Sequence, residues 1–597
     1  MFACVFHSFF TTFASNARMR SVLAAVVLFL LVAAPQPMRE IVSGDVARRT
    51  DEFLTRLVPF GFSGAVLVAK DDQIILKKAY GFANRETKQP YTVDMVSCIG
   101  SVTKQFTGAA ILKLEMMGKL NTSDSIAKYL PNVPADKAGI TIHHLMTHTA
   151  GFSGDLGGTD EEPISRDDLV AKVLAAPLAS KPGERFEYSN EGFSLAGAIV
   201  ERVSGQSYEA FLRQQLFLPA DMTETGYLLP SWPAPKLPIG YRMDGQPWGR
   251  VYKNGWRENE PGWYLTANGG IHSSLDDLYR WHQALANTKI LSADAVKKYQ
   301  EGFAPSMGGN ERYGYGWGVQ TTRRGTRVVS HNGGNGFFFT DFRRYLDEKV
   351  VIIAMSNEPN VPATLVAPRD LESLVFGDRP ATALPAVVDI SKEVRDRHAG
   401  LYTLPSGGRV TIGADPAGIT FASDEPALYA AINNLTPPST ALGAGRFADV
   451  EAKTRTIVEA SAKGDFKPLF DAFDGDRPFE VIRGNQTRFW QQFRDEFGDY
   501  AGYDILGVGM EQGDPAVVVK ARFARGGAIL KYVWGPRRLA GFAIDRGGAA
   551  WALLPESAER YVHFEYRQPA GALRVTFKGD QATVNAGTTT LTATKAK

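Results

Sequence analysis

Two groups of strand-forming sequence stand at opposite ends of a long helical stretch, and this arrangement constrains the fold more than any other feature. At one end, residues 64–81 hold two apolar runs, AVLVA and IIL, on either side of the polar turn Lys70-Asp71-Asp72-Gln73, the pattern of a β-hairpin. At the other end, residues 327–330, 336–343 and 349–356 read as three strands, with turns at Asn332-Gly333-Gly334 and Asp347-Glu348. Between them, Phe106, Ala109, Ala110, Leu112 and Leu114 recur at helical spacing and predict a helix that opens near Ser101. A single antiparallel sheet completed by both ends of the region, beside a helical lobe, accommodates all of this: an α+β plan.

The Pro/Ala/Gly stretch over 377–385 closes that region. The expected division is a leader at 1–37, a domain at 38–378, a β-rich domain made of 386–445 with 551–597, and an inserted helix-plus-sheet module at 446–550. The module opens with helical sequence around Val450, Ile457 and Val458 and continues into a hairpin around Gly526-Gly527. No repeat of fixed period interrupts this order.

Sixty-six basic against 64 acidic residues leave a formal charge of +2, too balanced to recruit a phosphate backbone, so no nucleic-acid partner is expected. Residues 22–34 (VLAAVVLFLLVAA) follow Arg18 and Arg20 and end in small residues, which is a secretory signal pattern. The run is shorter than the roughly 20 residues of a membrane span, so no stable span is expected after its removal, and the compartment read from it is periplasmic or secreted. The two cysteines are Cys4 and Cys98; removal of the leader leaves one and no internal disulfide.

Three short motifs carry chemistry, and each has a decoy. Ser101-Val102-Thr103-Lys104 puts a hydroxyl and an amine one helical turn apart, as does Ser125-Ile126-Ala127-Lys128. Tyr188-Ser189-Asn190 is matched by Tyr252-Lys253-Asn254, and His331-Asn332-Gly333 by His398-Ala399-Gly400. Setting separates them. Ser101 follows Gly100 and opens an apolar helix, where free amides and the positive dipole end favour developing negative charge. Tyr188 lies in a loop directly before the apolar helix GFSLAGAIVERV, and His331 is followed by Gly333-Gly334, which let backbone N–H groups approach a ligand.

Ser-x-x-Lys, Tyr-x-Asn and a strand leading to His-x-Gly, in that order, resemble the serine β-lactamase and penicillin-binding-protein superfamily, with Tyr-Ser-Asn in the middle slot as in its class C, carboxylesterase and D-amino-acid peptidase branch. HHLMTHTAGFSG at 143–154, NGGIHSSLDDLYRW at 268–281 and YGYGWGV at 313–319 are similar too, so that the resemblance spans about residues 45–376. It implies a β-lactamase-like catalytic domain, followed here by a β-rich, lipocalin-like domain with its inserted α+β module. It also implies an oxyanion site made by the backbone N–H groups of Ser101 and Gly334.

A serine hydroxyl attacks well only when a base takes its proton. Lys104, shielded in a cleft, has its amine made accessible by desolvation, and Tyr188 takes or relays the same proton; the sequence leaves open which is the formal base. Asn190 orients Lys104 and the substrate, and Gly333 and Gly334 bring the strand close. His331 puts a largely neutral imidazole where many β-lactamases carry Lys, which disfavours a penicillin carboxylate. The expected function is an exported serine hydrolase that acylates Ser101 with a small ester, amide or D-amino-acid peptide, without cofactor or metal and with no oligomeric state implied. The alternatives are a class C-like β-lactamase and a non-catalytic peptidoglycan or β-lactam sensor. The pair His144 and His148 lacks the Glu of a zinc motif and reads as packing, as does Cys98, which has no base nearby.

Overall fold

The computed structural model describes residues 39–596 except 153–159, 161, 243–244, 251–261, 307–309, 434, 437–445, 474–478, 512–513, 536–537, 546–549, 565 and 567–572. The expected leader and the decoy at Tyr252 lie outside the described residues. Two compact units result: the described chain up to Arg48 with Ser63–Asn357, and Arg49–Phe62 with the described residues from Glu358 onward.

The first unit is built on a nine-stranded antiparallel sheet. Its strands are β1 (Ile41–Val42), β2 (Gly64–Lys70) and β3 (Gln73–Tyr80), then β4 (Ala304–Pro305), β5 (Glu311–Gly314), β6 (Trp317–Thr321), β7 (Arg327–Gly334), β8 (Phe339–Tyr345) and β9 (Val350–Ser356). They lie in the order β1-β3-β2-β9-β8-β7-β6-β5-β4. The two ends of the unit therefore meet in mid-sheet: Gly64 pairs with Ser356, Leu67 with Ile353 and Lys70 with Val350. Asp71 and Asp72 turn the β2–β3 hairpin at φ of 49° and 60°, a conformation that short polar side chains tolerate.

Against this sheet lies the helical lobe. A 3-10 turn, Gly100–Val102, leads into helix α1 (Thr103–Met116), so the regular helix starts two residues after Ser101. Every residue of α1 from Thr103 to Leu112 is buried, the mark of a helix enclosed on all sides rather than one with a solvent face. Phe106 packs edge-on to Phe217, ring centres 5.0 Å apart, and beside Trp281 at 5.1 Å. Helix α2 (Asn190–Ser204) is capped by Ser189, whose hydroxyl accepts from the Gly192 N–H, and ends at Gly205 in the left-handed region at φ 74°.

One expectation is corrected. The strand carrying His331 does not end there: β7 runs through Gly334, with Asn332, Gly333 and Gly334 paired to Asp341, Thr340 and Phe339. The turn falls later, where the Asn335 side chain accepts from the N–H groups of Phe337 and Phe338. Beyond that turn Phe338 enters the apolar core, and Phe337 packs against it while stacking on Trp248 at 4.0 Å.

The second unit contains a closed barrel of β10 (Gly400–Thr403), β11 (Arg409–Asp415), β12 (Gly418–Ser423) and five strands from the end of the chain. After β12 come helices α3 (Pro426–Ile432), α4 (Arg446–Ala462) and α5 (Phe479–Phe497), then a four-stranded sheet of β13 (Tyr500–Glu511), β14 (Asp514–Phe523), β15 (Gly526–Trp534) and β16 (Leu539–Asp545). The turn between β14 and β15 falls at Ala524-Arg525, since Gly526 is already paired with Phe523. β17 (Trp551–Pro555), β18 (Arg560–His563), β19 (Leu573–Lys578), β20 (Gln581–Ala586) and β21 (Thr589–Lys595) then complete the barrel, β17 beside β12 and β21 beside β10. Barrel and module have separate apolar cores, one around Val410, Ile412, Leu553 and Val575, the other around Val458, Trp490, Val519 and Leu530. The α+β class and the β-rich C-terminal region are as the sequence implies.

Candidate active site

The turn that precedes α1 is pinned by glycine. Gly100 sits at φ 49°, where a Cβ would come within 2.6 Å of the Gly334 nitrogen. A Cβ on Gly333 would lie 2.1 Å from the Ile99 oxygen and 2.4 Å from the Ser101 nitrogen. Backbone touches backbone here, and the contact aligns the end of β7 with Ser101.

One helical turn on, Lys104 is fully buried and its ammonium nitrogen has three polar neighbours. It lies 3.0 Å from Ser101 Oγ, 2.8 Å from Asn190 Oδ1 and 2.7 Å from the Asn268 main-chain oxygen. The amine sits 4.8 Å from the centre of the Tyr188 ring and 5.7 Å from that of Phe193. Desolvation drives its pKa down to about 7, with Asp160 and Glu191 opposing part of the fall. Burial pushes the Tyr188 phenol the other way, well above its ordinary value, with hydrogen bonding to Ser101 offsetting part of the rise.

The structure brings Ser101, Lys104, Tyr188 and Asn190 together, and two further residues join them. Asn268 supplies the third acceptor through its carbonyl, and its side chain is locked by donation to Ser194 Oγ at 2.8 Å and the Tyr264 oxygen at 2.6 Å. His148, in the left-handed region at φ 55°, accepts from the Ser189 N–H at 3.0 Å and lies against the Tyr188 ring at 4.3 Å. Thr147 already ends the short helix Ile142–Met146, so His144 and His148 do not share a helical face. His144 Nδ1 is occupied by the Thr141 N–H. Among the described residues no group of three or more His, Cys, Asp or Glu is placed to hold a metal ion.

His331 is buried with both ring nitrogens engaged. Nδ1 lies 2.5 Å from the Asn332 carbonyl oxygen, which only accepts, so Nδ1 bears the proton and Nε2 accepts from the Tyr313 hydroxyl at 2.9 Å. Burial, reinforced by Lys104, lowers its pKa to about 3, so the ring is uncharged near neutrality. Cys98 is buried, accepts from Asn335 Nδ2 at 3.6 Å, and has its thiol pKa pushed up to about 12. The decoys resolve plainly. Ser125 caps a 3-10 turn, and His398 stacks on Phe577 at 4.0 Å in the second unit.

A cleft of about 230 Å³ opens beside Tyr188 and His331. A larger one of about 810 Å³ includes none of the motif residues; in its lining Arg166 pairs with Glu201 at 2.8 Å and Arg202 with Asp167 at 3.2 Å, while Glu209 accepts from the backbone N–H groups of Tyr227, Leu228 and Leu229.

A serine, a buried amine and a phenol brought together on an α+β scaffold form the arrangement seen in Ser-x-x-Lys proteins. Residues 61–374, more than half of the chain, match the Beta-lactamase family, and the chain belongs to that family. Penicillin-binding protein 4* of Bacillus subtilis is 29% identical over 366 residues, which are 58% of this chain and 80% of that protein. Protein flp of Staphylococcus aureus is 28% identical over 313 residues, 50% of this chain and 60% of its own length. The octameric penicillin-binding protein homologue of Pyrococcus abyssi, 19% identical, shares the fold at a TM-score of 0.51 over 92% of this chain and all of its own.

Proposed function

We propose that the protein is an exported serine hydrolase in which Ser101 is acylated by a small ester or amide. The observation that carries this is the set of partners around Lys104. Two of its three neighbours, Asn190 Oδ1 and the Asn268 carbonyl, can only accept, so the amine's remaining position faces Ser101 Oγ. In the neutral form that position is a lone pair aimed at the serine hydroxyl. A pKa near 7 makes the neutral form abundant at physiological pH, whereas the phenol of Tyr188 stays protonated. This supports Lys104 as base and Tyr188 as relay.

In the reaction, Ser101 Oγ bonds to the substrate carbonyl carbon as its proton passes to Lys104 Nζ. The negative oxygen faces the backbone N–H groups of Ser101 and Gly334. The proton then travels through Tyr188 to the leaving nitrogen or oxygen as the scissile bond breaks. Water enters by the reverse path and releases the acid, restoring Ser101. Asn190, its oxygen held by Lys104, has its amide N–H₂ available for the substrate.

The uncharged His331 weighs against a penicillinase, because a fixed cation for the β-lactam carboxylate is missing there. The sequence at 1–37 supports export, and among the described residues no helix is long and apolar enough to cross a membrane. The chain order supports a hydrolase domain at 38–378, a lipocalin-like domain at 386–445 with 551–597, and an inserted module at 446–550. The test is fluorophosphonate labelling beside turnover of p-nitrophenyl acetate, D-alanine p-nitroanilide and nitrocefin, for the wild type and Ser101→Ala. Labelling and ester or anilide turnover that both vanish in the variant are expected; labelling that persists in Ser101→Ala sinks the reading.

A further inference from the structure

The 230 Å³ cleft is not electrically neutral. Its lining includes Tyr188, Ser306, Glu311, Tyr313, His331 and Arg343. Arg343 does not set the sign, because its Nε lies 2.9 Å from Asp341 Oδ1 and that charge is answered within β8. His331 adds none, with both nitrogens committed to Asn332 and Tyr313. Glu311 is different. One oxygen accepts from the Ser306 hydroxyl at 2.8 Å and the other from the Gln320 amide at 2.5 Å, both neutral donors. Among the described residues Glu311 makes no ion pair. Its placement uses the sheet: a Cβ on Gly318, in β6, would lie 2.7 Å from Glu311 Oε2, so a side chain there would push the carboxylate from the place it holds over the strand. A partly enclosed carboxylate with neutral partners, in a cleft shared with Tyr188, is a counter-ion without its ion.

We propose that this cleft receives a positively charged group of the substrate, with Glu311 as its counter-ion. The hydrolase would thus favour acyl compounds with a free ammonium near the scissile carbonyl, such as amino-acid amides and esters, over blocked or neutral ones. The inference rests on the hydrolase reading and names its substrate class. Glu311 is a specificity residue, outside the proton path through Lys104 and Tyr188.

The experiment compares kcat/KM for D-alanine p-nitroanilide with that for its N-acetyl derivative. The wild type should prefer the free amine, and Glu311→Gln should cut the ratio of the two values by about ten- to a hundredfold. Gly318→Ala keeps the carboxylate but takes its room, and should lower the same ratio. A wild-type ratio of one or below, or a ratio that Glu311→Gln leaves unchanged, overturns the proposal. Failure of the underlying hydrolase reading is distinct: Ser101 would then resist fluorophosphonate and p-nitrophenyl acetate would not turn over, and the substrate proposal falls with it.

Discussion

At the scale of single residues, the charge state of Lys104 bears on stability and, under the proposed mechanism, on activity. A lysine whose pKa drops from 10.5 to about 7 on burial binds fewer protons when folded than when unfolded over that interval. Stability therefore rises with pH between about 7 and 10.5, and the whole cost of burial is present below 7. Lys104→Met should accordingly be more stable than the wild type at pH 6, by about 2–4 kcal/mol, with the gap closing toward pH 10. Thermal melts across that range check this, and activity should fall by at least about a thousandfold in the same variant. Since only the neutral amine accepts a proton, kcat/KM should climb through an acid limb with a midpoint near pH 7. His331, with its pKa lowered to about 3, contributes no step there. His331→Gln should leave the limb in place, whatever it does to the rate; loss of the limb would assign it to the imidazole instead.

At the scale of elements, the contact between the Gly100–Val102 turn and β7 sets the geometry around Ser101. Gly333→Ala should force the two backbones apart, because its Cβ would meet the Ile99 oxygen at 2.1 Å. The rate of fluorophosphonate labelling should drop by about a hundredfold or more, the cost of one misplaced oxyanion donor. Gly336→Ala is the control, since a Cβ there meets nothing within 4 Å. It is expected to lose some stability from its φ of 82° while labelling at close to the normal rate. This scale also marks where the sequence is legible. Ser101 and Lys104 can be paired from their spacing of one helical turn once the apolar helix after Gly100 sets them apart from Ser125 and Lys128. The continuation of β7 through Gly333 and Gly334 cannot, because glycine carries no strand preference and the pairing is decided by the turn packed against it. Asn268 acts on Lys104 through a carbonyl, which every residue has, so no side-chain signature announces it. His148 shows itself only as an imidazole, and its use, holding the Ser189 N–H beside Tyr188, depends on a left-handed backbone that the segment HTAG does not advertise.

At the scale of the whole molecule, the C-terminal region divides by its cores. Phe421 of β12 pairs with Trp551 of β17, so the barrel's chain path is interrupted between two hydrogen-bonded neighbours. Helix α3 belongs to the barrel, whose core includes Leu428 and Ile432. Replacing 437–549 with a Gly/Ser linker of about ten residues should therefore leave the barrel strands folded, which circular dichroism and limited proteolysis read directly. Collapse of the barrel would show that the module is a structural part of it. The seam of the first unit has a different consequence. Because β2 is zipped along its length to β9, a ribosome must deliver residue 356 before the segment near residue 64 finds its neighbour. Until then the nascent chain holds an apolar strand with an open edge, which invites association with other chains. Truncated products that stop before residue 350 should be insoluble, and the rate at which the folded chain matures should follow the closure of that seam.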